Sequence, residues 1–261
     1  MSRLLVGPIS DIHYRLAYVA SYNRQLRNPN WVAEHLTKEK LTKKNGTDRS
    51  HSVFQEDASL PPKFRARLAD YFRSGFDRGH MAPAADAKFS QEAMNETFIL
   101  TNISPQVGKG FNRNYWAYLE NFCRQLTERY ADVYVVSGPL YLPRQEADGK
   151  WYVHYQMIGN PPNVAVPTHF YKVILTRDAA GKEAALGAFV LPNAPIPDET
   201  PLERFAVPPE MVERAAGIEL FQRVDRGRCP TLCKATSCKL TIRKFEDAVS
   251  QADGSRQKVM S

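Results

Sequence analysis

The sequence has no apolar run approaching the ~20 residues a helix needs to cross a bilayer, so no membrane span is expected. No signal peptide or Arg-rich presequence is visible at the start: Met1-Ser2-Arg3-Leu4-Leu5-Val6-Gly7-Pro8 is short and soon interrupted by proline. There is no repeat and no low-complexity block, which argues against a solenoid or a compositionally disordered chain. Cysteine is scarce, at four residues. Cys123 stands alone; Cys229, Cys233 and Cys238 lie near the end without a Cys-x-x-Cys pair or a nearby histidine. Three ligands can begin a zinc site, but structural zinc is almost always four-coordinate. Buried thiols or one local disulfide are the alternatives.

What is present is a chain able to bury a core: 261 residues, 43% hydrophobic and 11% aromatic. Acidic residues are in the minority, 28 against 35 Lys and Arg, a formal net charge of +7. That surplus favours an anionic partner, such as nucleic acid or an acidic membrane surface, without choosing between them.

Periodicity supplies the elements. Leu16, Tyr18, Ala20 and Tyr22 alternate as a strand that turns at Arg27-Asn28-Pro29-Asn30. Residues 37–60 are polar and irregular and read as a long surface loop. Phe64, Leu68, Tyr71 and Phe72 predict a helix over 63–74 that ends at Gly75. Trp116, Leu119, Cys123, Leu126 and Tyr130 give the strongest helix signal, over 113–130. Strands are expected at Val133–Ser137, Trp151–Ile158, Val164–Leu175 and Leu186–Leu191, and a short helix at Pro208–Ala216 closed by Gly217. Strands joined by long irregular connections, with helices inserted, predict one α+β domain over residues 1–249, followed by a loose polar tail over 250–261.

Three features carry chemistry. Asp77-Arg78-Gly79-His80 follows a helix stop and runs into Met81-Ala82-Pro83. An imidazole there can take a proton from water near neutral pH, although an isolated histidine more often caps or packs. On the long helix, Asn112 and Glu120 straddle the buried stripe at Trp116, about 80° apart at ~100° per residue. A hydrated metal ion would satisfy both; a half-exposed helix edge is the plainer reading. Eight residues rise ~12 Å, so Asn112 is the better direct ligand and Glu120 acts through water, a pattern that suits Mg²⁺ better than Zn²⁺. Basic residues gather nearby in sequence: Arg49, Arg78, Lys88, Lys109 and Arg113. Arginine forks match phosphate oxygens, although such clusters are often only solvated surface.

The stretch Asp77-Arg78-Gly79-His80-Met81-Ala82-Pro83-Ala84-Ala85-Asp86 resembles the signature of the DNA/RNA non-specific endonucleases, the ββα-metal superfamily. Thr101–Gln106, Phe111–Glu120, Ser137–Leu140, Asn163–Pro167 and Tyr171–Val173 continue the resemblance in order, and it spans roughly residues 15–245. It implies a central antiparallel sheet flanked by helices, with the catalytic ββα unit on one side. It implies hydrolysis of phosphodiester bonds in DNA and RNA, with His80 as general base and Asn112 holding Mg²⁺ or Mn²⁺. Glu120 would act on the ion through water. Arg49 would contact phosphate and Arg78 assist there; Asp77 would support the turn and Asn102 lie near the site. A mitochondrial location, a homodimer and no small-molecule cofactor are further implications. A 5′–3′ exonuclease of the same family and a catalytically silent nucleic-acid-binding relative remain alternatives. With the resemblance running to about residue 245 and a short polar tail after it, mainly endonucleolytic attack is the expectation.

Overall fold

The computed structural model describes residues 11–242. The polar tail expected from residue 250, and the boundary at 249, lie outside the described residues.

The centre is a seven-stranded antiparallel sheet. In chain order the strands are β1 (Asp11–Tyr14), β2 (Tyr18–Asn23), β3 (Asn28–Leu36), β4 (Asp77–His80), β5 (Ile103–Gln106) and β6 (Asp132–Leu140). Then come β7 (Arg144–Gln145), β8 (Trp151–Tyr152), β9 (Met157–Ile158), β10 (Val164–Ala165), β11 (His169–Arg177), β12 (Glu183–Pro192) and β13 (Ala206–Val207). The sheet runs β1-β2-β3-β6-β11-β12-β13, while β4–β5, β7–β8 and β9–β10 form separate two-stranded ribbons. The helices are α1 (Leu68–Tyr71), α2 (Gln91–Glu96), α3 (Ala117–Leu126), α4 (Pro209–Ala216) and α5 (Leu232–Ala235).

Alternation along the strands separates two cores. Val32, Leu36, Val133, Val135, Phe170 and Ile174 face α3, where Leu119, Phe122, Cys123 and Leu126 cover them. On the other face Val136, Tyr171, Val173 and Leu175 pack with Val212 of α4, Leu220 and Val224. Because β11 is covered on both sides, it reads as a continuous apolar run rather than a half-polar strand. The exception is Lys172, on the α3 face between Phe170 and Ile174.

Several expected elements are revised. The helix over 63–74 reduces to a 3₁₀ turn at Pro62–Phe64 and the four-residue α1. The Tyr22 hydroxyl grips the backbone of Phe64 and Ala66 in an extended approach, and Phe72, at 73% exposure, packs on no core. Trp151–Ile158 is two short strand pieces; residues 151–157 are exposed, so no sheet face holds them together. The turn expected at Arg27–Asn30 falls three residues earlier, over Arg24–Arg27, with Arg27 at φ 53° and its N–H donating to Asn23 O at 2.8 Å; Asn28 already begins β3. The 37–60 segment is irregular but not wholly on the surface. Asp57 is buried and accepts from Arg15, Ser59 and Thr101, anchoring the loop to the turn that precedes β5.

The expected long helix begins as a π-helical turn over Gly108–Trp116 and becomes α-helical at α3. Asn112 N–H donates to Val107 O at 2.9 Å, a bond one residue longer than the α-helical one. Gly110 sits at φ 83°, and a Cβ there would lie 2.8 Å from Pro195 Cβ, so glycine is required on both counts. Two of the C-terminal cysteines, Cys233 and Cys238, are joined as a disulfide, which is the local-disulfide alternative rather than the start of a zinc site.

Candidate active site

Strands β4 and β5 followed by the π-turn and α3 form a ββα unit. It is pinned to the main sheet where the Ser104 hydroxyl of β5 donates to the Asn28 side chain at the start of β3. His80 closes β4, paired with Ile103. Its backbone carbonyl accepts from the Trp116 indole at 3.2 Å, tying the strand end to the helix. Beyond it the chain is locked by Asn102. The Asn102 Oδ1 accepts from Ala82 N–H at 2.9 Å, and its Nδ2 donates to Ala82 O and Thr97 O at 2.9 and 2.8 Å. Asn102 therefore fixes the turn after His80 and has no amide group to spare for substrate.

The His80 ring is buried between Phe54 and Phe98, with ring centroids at 5.4 and 4.8 Å. Among the described residues its Nε2 has no hydrogen-bond partner. Burial, then the charges of Arg49 and Arg78, push its pKa down to about 3. The imidazole is thus neutral across the physiological range. Arg78 lies over the Phe54 ring at 4.2 Å and Arg49 over Phe98 at 5.4 Å, so each arginine stands on one of the two rings that hold His80. Both arginines are exposed.

At the other end of β4, Asp77 organises the helix start. Its carboxylate accepts from Asn112 Nδ2 at 2.8 Å and from Arg113 Nε and Nη2 at 2.8 and 2.6 Å. Burial opposes its ionisation, but the bonds from Arg113 and Asn112 prevail and hold the carboxyl below the usual range. With its amide nitrogen committed to Asp77, Asn112 keeps its side-chain carbonyl oxygen free among the described residues. Arg113 is engaged by Asp77 rather than standing apart as a phosphate fork. Lys109 is exposed on the kink inside the Gly108–Trp116 turn, and Lys88 is half-buried with its carbonyl bonded by Lys44 N–H. The structure therefore gathers His80, Arg49, Arg78, Asp77, Asn112 and Arg113, and leaves Lys88 and Lys109 at the margin.

Glu120 lies on α3 above a buried set of charges. Burial raises its pKa to about 7, against the pull of Lys172 and Arg124; Asp86 pushes it further up. Asp86 pairs with Arg124 at 2.7 Å. Lys172 is 1% exposed, donates to Ser137 Oγ at 2.7 Å and lies over the Trp116 ring at 4.5 Å. Glu34, on the same face of the sheet, is buried with Oε1 unpartnered and its pKa driven well up, by burial first and Asp86 second. Sequence reasoning missed this network. Its one visible signal is Lys172 in an apolar alternation, where a core residue belongs. It also missed Phe54 and Phe98, which only the fold brings to His80.

Among the described residues no three His, Cys, Asp or Glu side chains converge as a metal cluster. The candidate donors are instead the amide oxygen of Asn112, whose Nδ2 is taken by Asp77, and the Glu120 carboxylate on α3. That fits a hard cation that keeps most of its water, such as Mg²⁺ or Mn²⁺, and not a thiolate or imidazole cage.

Comparison with known proteins agrees with this architecture. The model of the family described as DNA/RNA non-specific endonuclease matches residues 5–227. The chain is 53% identical over 247 residues to the mitochondrial nuclease of Saccharomyces cerevisiae, covering 93% of this chain and 75% of that protein. It is 49% identical over 210 residues to the mitochondrial endonuclease G of Homo sapiens, covering 80% and 69%. A chain in the crystal structure of an EndoG/EndoGI complex superposes with a TM-score of 0.82 at 48% identity, covering 86% of this chain and 91% of that one. With a ββα unit on an antiparallel sheet and the family match spanning most of its length, this chain belongs to the DNA/RNA non-specific endonuclease family.

Proposed function

We propose that the protein is a sugar-non-specific endonuclease, dependent on Mg²⁺ or Mn²⁺, that hydrolyses phosphodiester bonds in DNA and RNA with His80 as general base. The observation that carries this reading is the neutral, unpartnered imidazole of His80 between two exposed arginines, at the end of the strand whose first residue holds Asn112.

In this reading His80 takes a proton from a water molecule, which attacks phosphorus in line with the departing 3′ oxygen. Arg49 and Arg78 pair with the phosphate oxygens. Their charge is then offset, and one cause of the low His80 pKa is removed as substrate binds; the base strengthens where it is needed. Asp77 holds Asn112 so that its carbonyl oxygen can ligate the cation. Glu120 acts on the cation through water, with Lys172 and Arg124 favouring its ionised form. When bound, the cation stabilises negative charge on the phosphate and the leaving oxygen. Water as attacking group makes the ribose 2′ hydroxyl unnecessary, and contacts to phosphate carry no sequence information.

A mitochondrial location is proposed from the names of the relatives, and a homodimer from the resemblance. No helix among the described residues is long and apolar enough to cross a membrane. The test of endonuclease action is a covalently closed circular plasmid with Mg²⁺ at low salt. Nicking followed by linearisation is expected, with strong inhibition by salt. Intact circles beside linear DNA degraded from its ends would replace this reading with the exonuclease one. Sedimentation equilibrium at micromolar concentration checks the dimer.

A further inference from the structure

Beside the site, between α1 and β4, lies a cavity of about 270 Å³ lined by Leu68, Tyr71, Phe72, Arg73, Phe76, Asp77 and Arg78. We propose that it is a nucleotide subsite: it takes the nucleotide next to the scissile phosphate, with the base stacked on Phe72 and the neighbouring phosphate paired with Arg73. The proposal rests on the active-site reading above and extends it to the substrate strand.

Continuity is the first support. The cavity shares Asp77 and Arg78 with the site, and Arg78 is two strand residues from His80, roughly 6.6 Å at ~3.3 Å per residue. That distance is on the scale of one nucleotide, so a strand with a phosphate at His80 can reach this cavity with its neighbouring residue.

The second support is the wall itself. Phe72 is 73% exposed, a large ring face left in water beside an enzyme site. Arg73 lies over that ring at 5.0 Å and adopts φ 53°, a left-handed conformation that is costly for a residue with a Cβ. The strain places an exposed guanidinium and an exposed ring side by side. Among the described residues neither Arg73 nor Arg78 donates a hydrogen bond to a carboxylate, so both cations remain available to phosphate.

The third is chemical fit. A volume near the lower end of ordinary small-ligand sites, ~300 Å³, suits a single base. Every base has a π-face, so stacking on Phe72 is sequence-tolerant. A base already paired and stacked in a duplex gains little from Phe72, so the subsite favours single-stranded DNA and RNA.

The test uses short single-stranded oligodeoxynucleotides in which one linkage is cleavable and the others are phosphorothioates. The nucleotide on either side of that linkage is normal or abasic. Base stacking on an aromatic ring is worth about fivefold to more than a hundredfold. Wild type is therefore expected to lose at least fivefold in kcat/KM when the base on one side is removed. In Phe72→Ala the ratio between normal and abasic substrate should fall to about one, and Phe72→Trp should restore it. Wild-type indifference to an abasic residue on both sides, or the same abasic penalty in Phe72→Ala, overturns the subsite. His80→Ala on the same oligonucleotides separates the two readings. Retained activity there removes the general base, while the abasic ratio reports on the subsite by itself.

Discussion

Burying a neutral histidine between two arginines makes stability depend on pH in a way that can be calculated. The perturbation is His80→Gln, compared with wild type at pH 8 and pH 5. His80 titrates near 6.5 when unfolded and at about 3 in the folded protein. Between those values the unfolded chain binds more protons, so the His80 contribution is fully present above pH 6.5 and is lost as pH falls. At pH 5 the unfolded imidazole is about 1.5 units below its pKa while the folded one is still neutral. At ~1.4 kcal/mol per unit, the linked loss is about 2 kcal/mol. The figure does not depend on how far below 5 the folded value lies. For a chain of this size each kcal/mol moves Tm by about 2–4 °C. Wild type should therefore lose roughly 4–8 °C more than His80→Gln between the two pH values. Thermal unfolding followed by circular dichroism in chloride buffer, free of phosphate and divalent cations, reads this directly. Equal losses in both proteins would show that His80 titrates freely in the folded state, and the neutral-base argument would fall.

Asn112→Ala should raise the Mg²⁺ concentration needed for half-maximal rate more than Glu120→Gln does, since Asn112 supplies the free amide oxygen; a larger shift for Glu120→Gln would reverse the two roles. Lys172→Met removes a charge that favours ionised Glu120, whose pKa is already about 7. The acid limb of kcat against pH should then move up by about one unit, equivalent to ~1.4 kcal/mol; an unmoved limb would separate Lys172 from Glu120. At Gly79 a new Cβ would lie 2.0 Å from Gln106 Oε1, a side chain with no exposed surface to retreat into. Gly79→Ala should cost about 1–3 kcal/mol and most of the activity, measured by chemical denaturation and plasmid cleavage; wild-type values in both would show that β4 and β5 can part there.

The site was legible where chemistry is local. Asp77, Arg78 and His80 sit in four consecutive residues, and Trp116, Leu119, Cys123 and Leu126 mark a helix by spacing alone. The α+β class followed from apolar strands such as 133–137 and 186–191 with helices inserted between them, while the antiparallel sheet was implied only by the family resemblance. Geometry at the helix start did not follow. An angle of ~100° per residue does not hold through the π-turn, so the separation of Asn112 and Glu120 could not be read from the count of residues. Asp77 as the clamp on Asn112 and Arg113 depends on a pairing across 35 and 36 positions, which no local pattern encodes. The helix over 63–74 failed because period alone cannot tell an apolar stripe that packs from one that stays exposed, as Phe72 does. The buried charges Lys172 and Glu34 oppose the pattern that placed their strands, and only the folded sheet brings them onto one face.

The most direct measurement is the single-turnover cleavage rate of His80→Ala with saturating Mg²⁺, in protein shown to be folded. General base catalysis contributes about 10² to 10⁴-fold, so a loss of at least a hundredfold is expected. A rate within threefold of wild type would contradict the account.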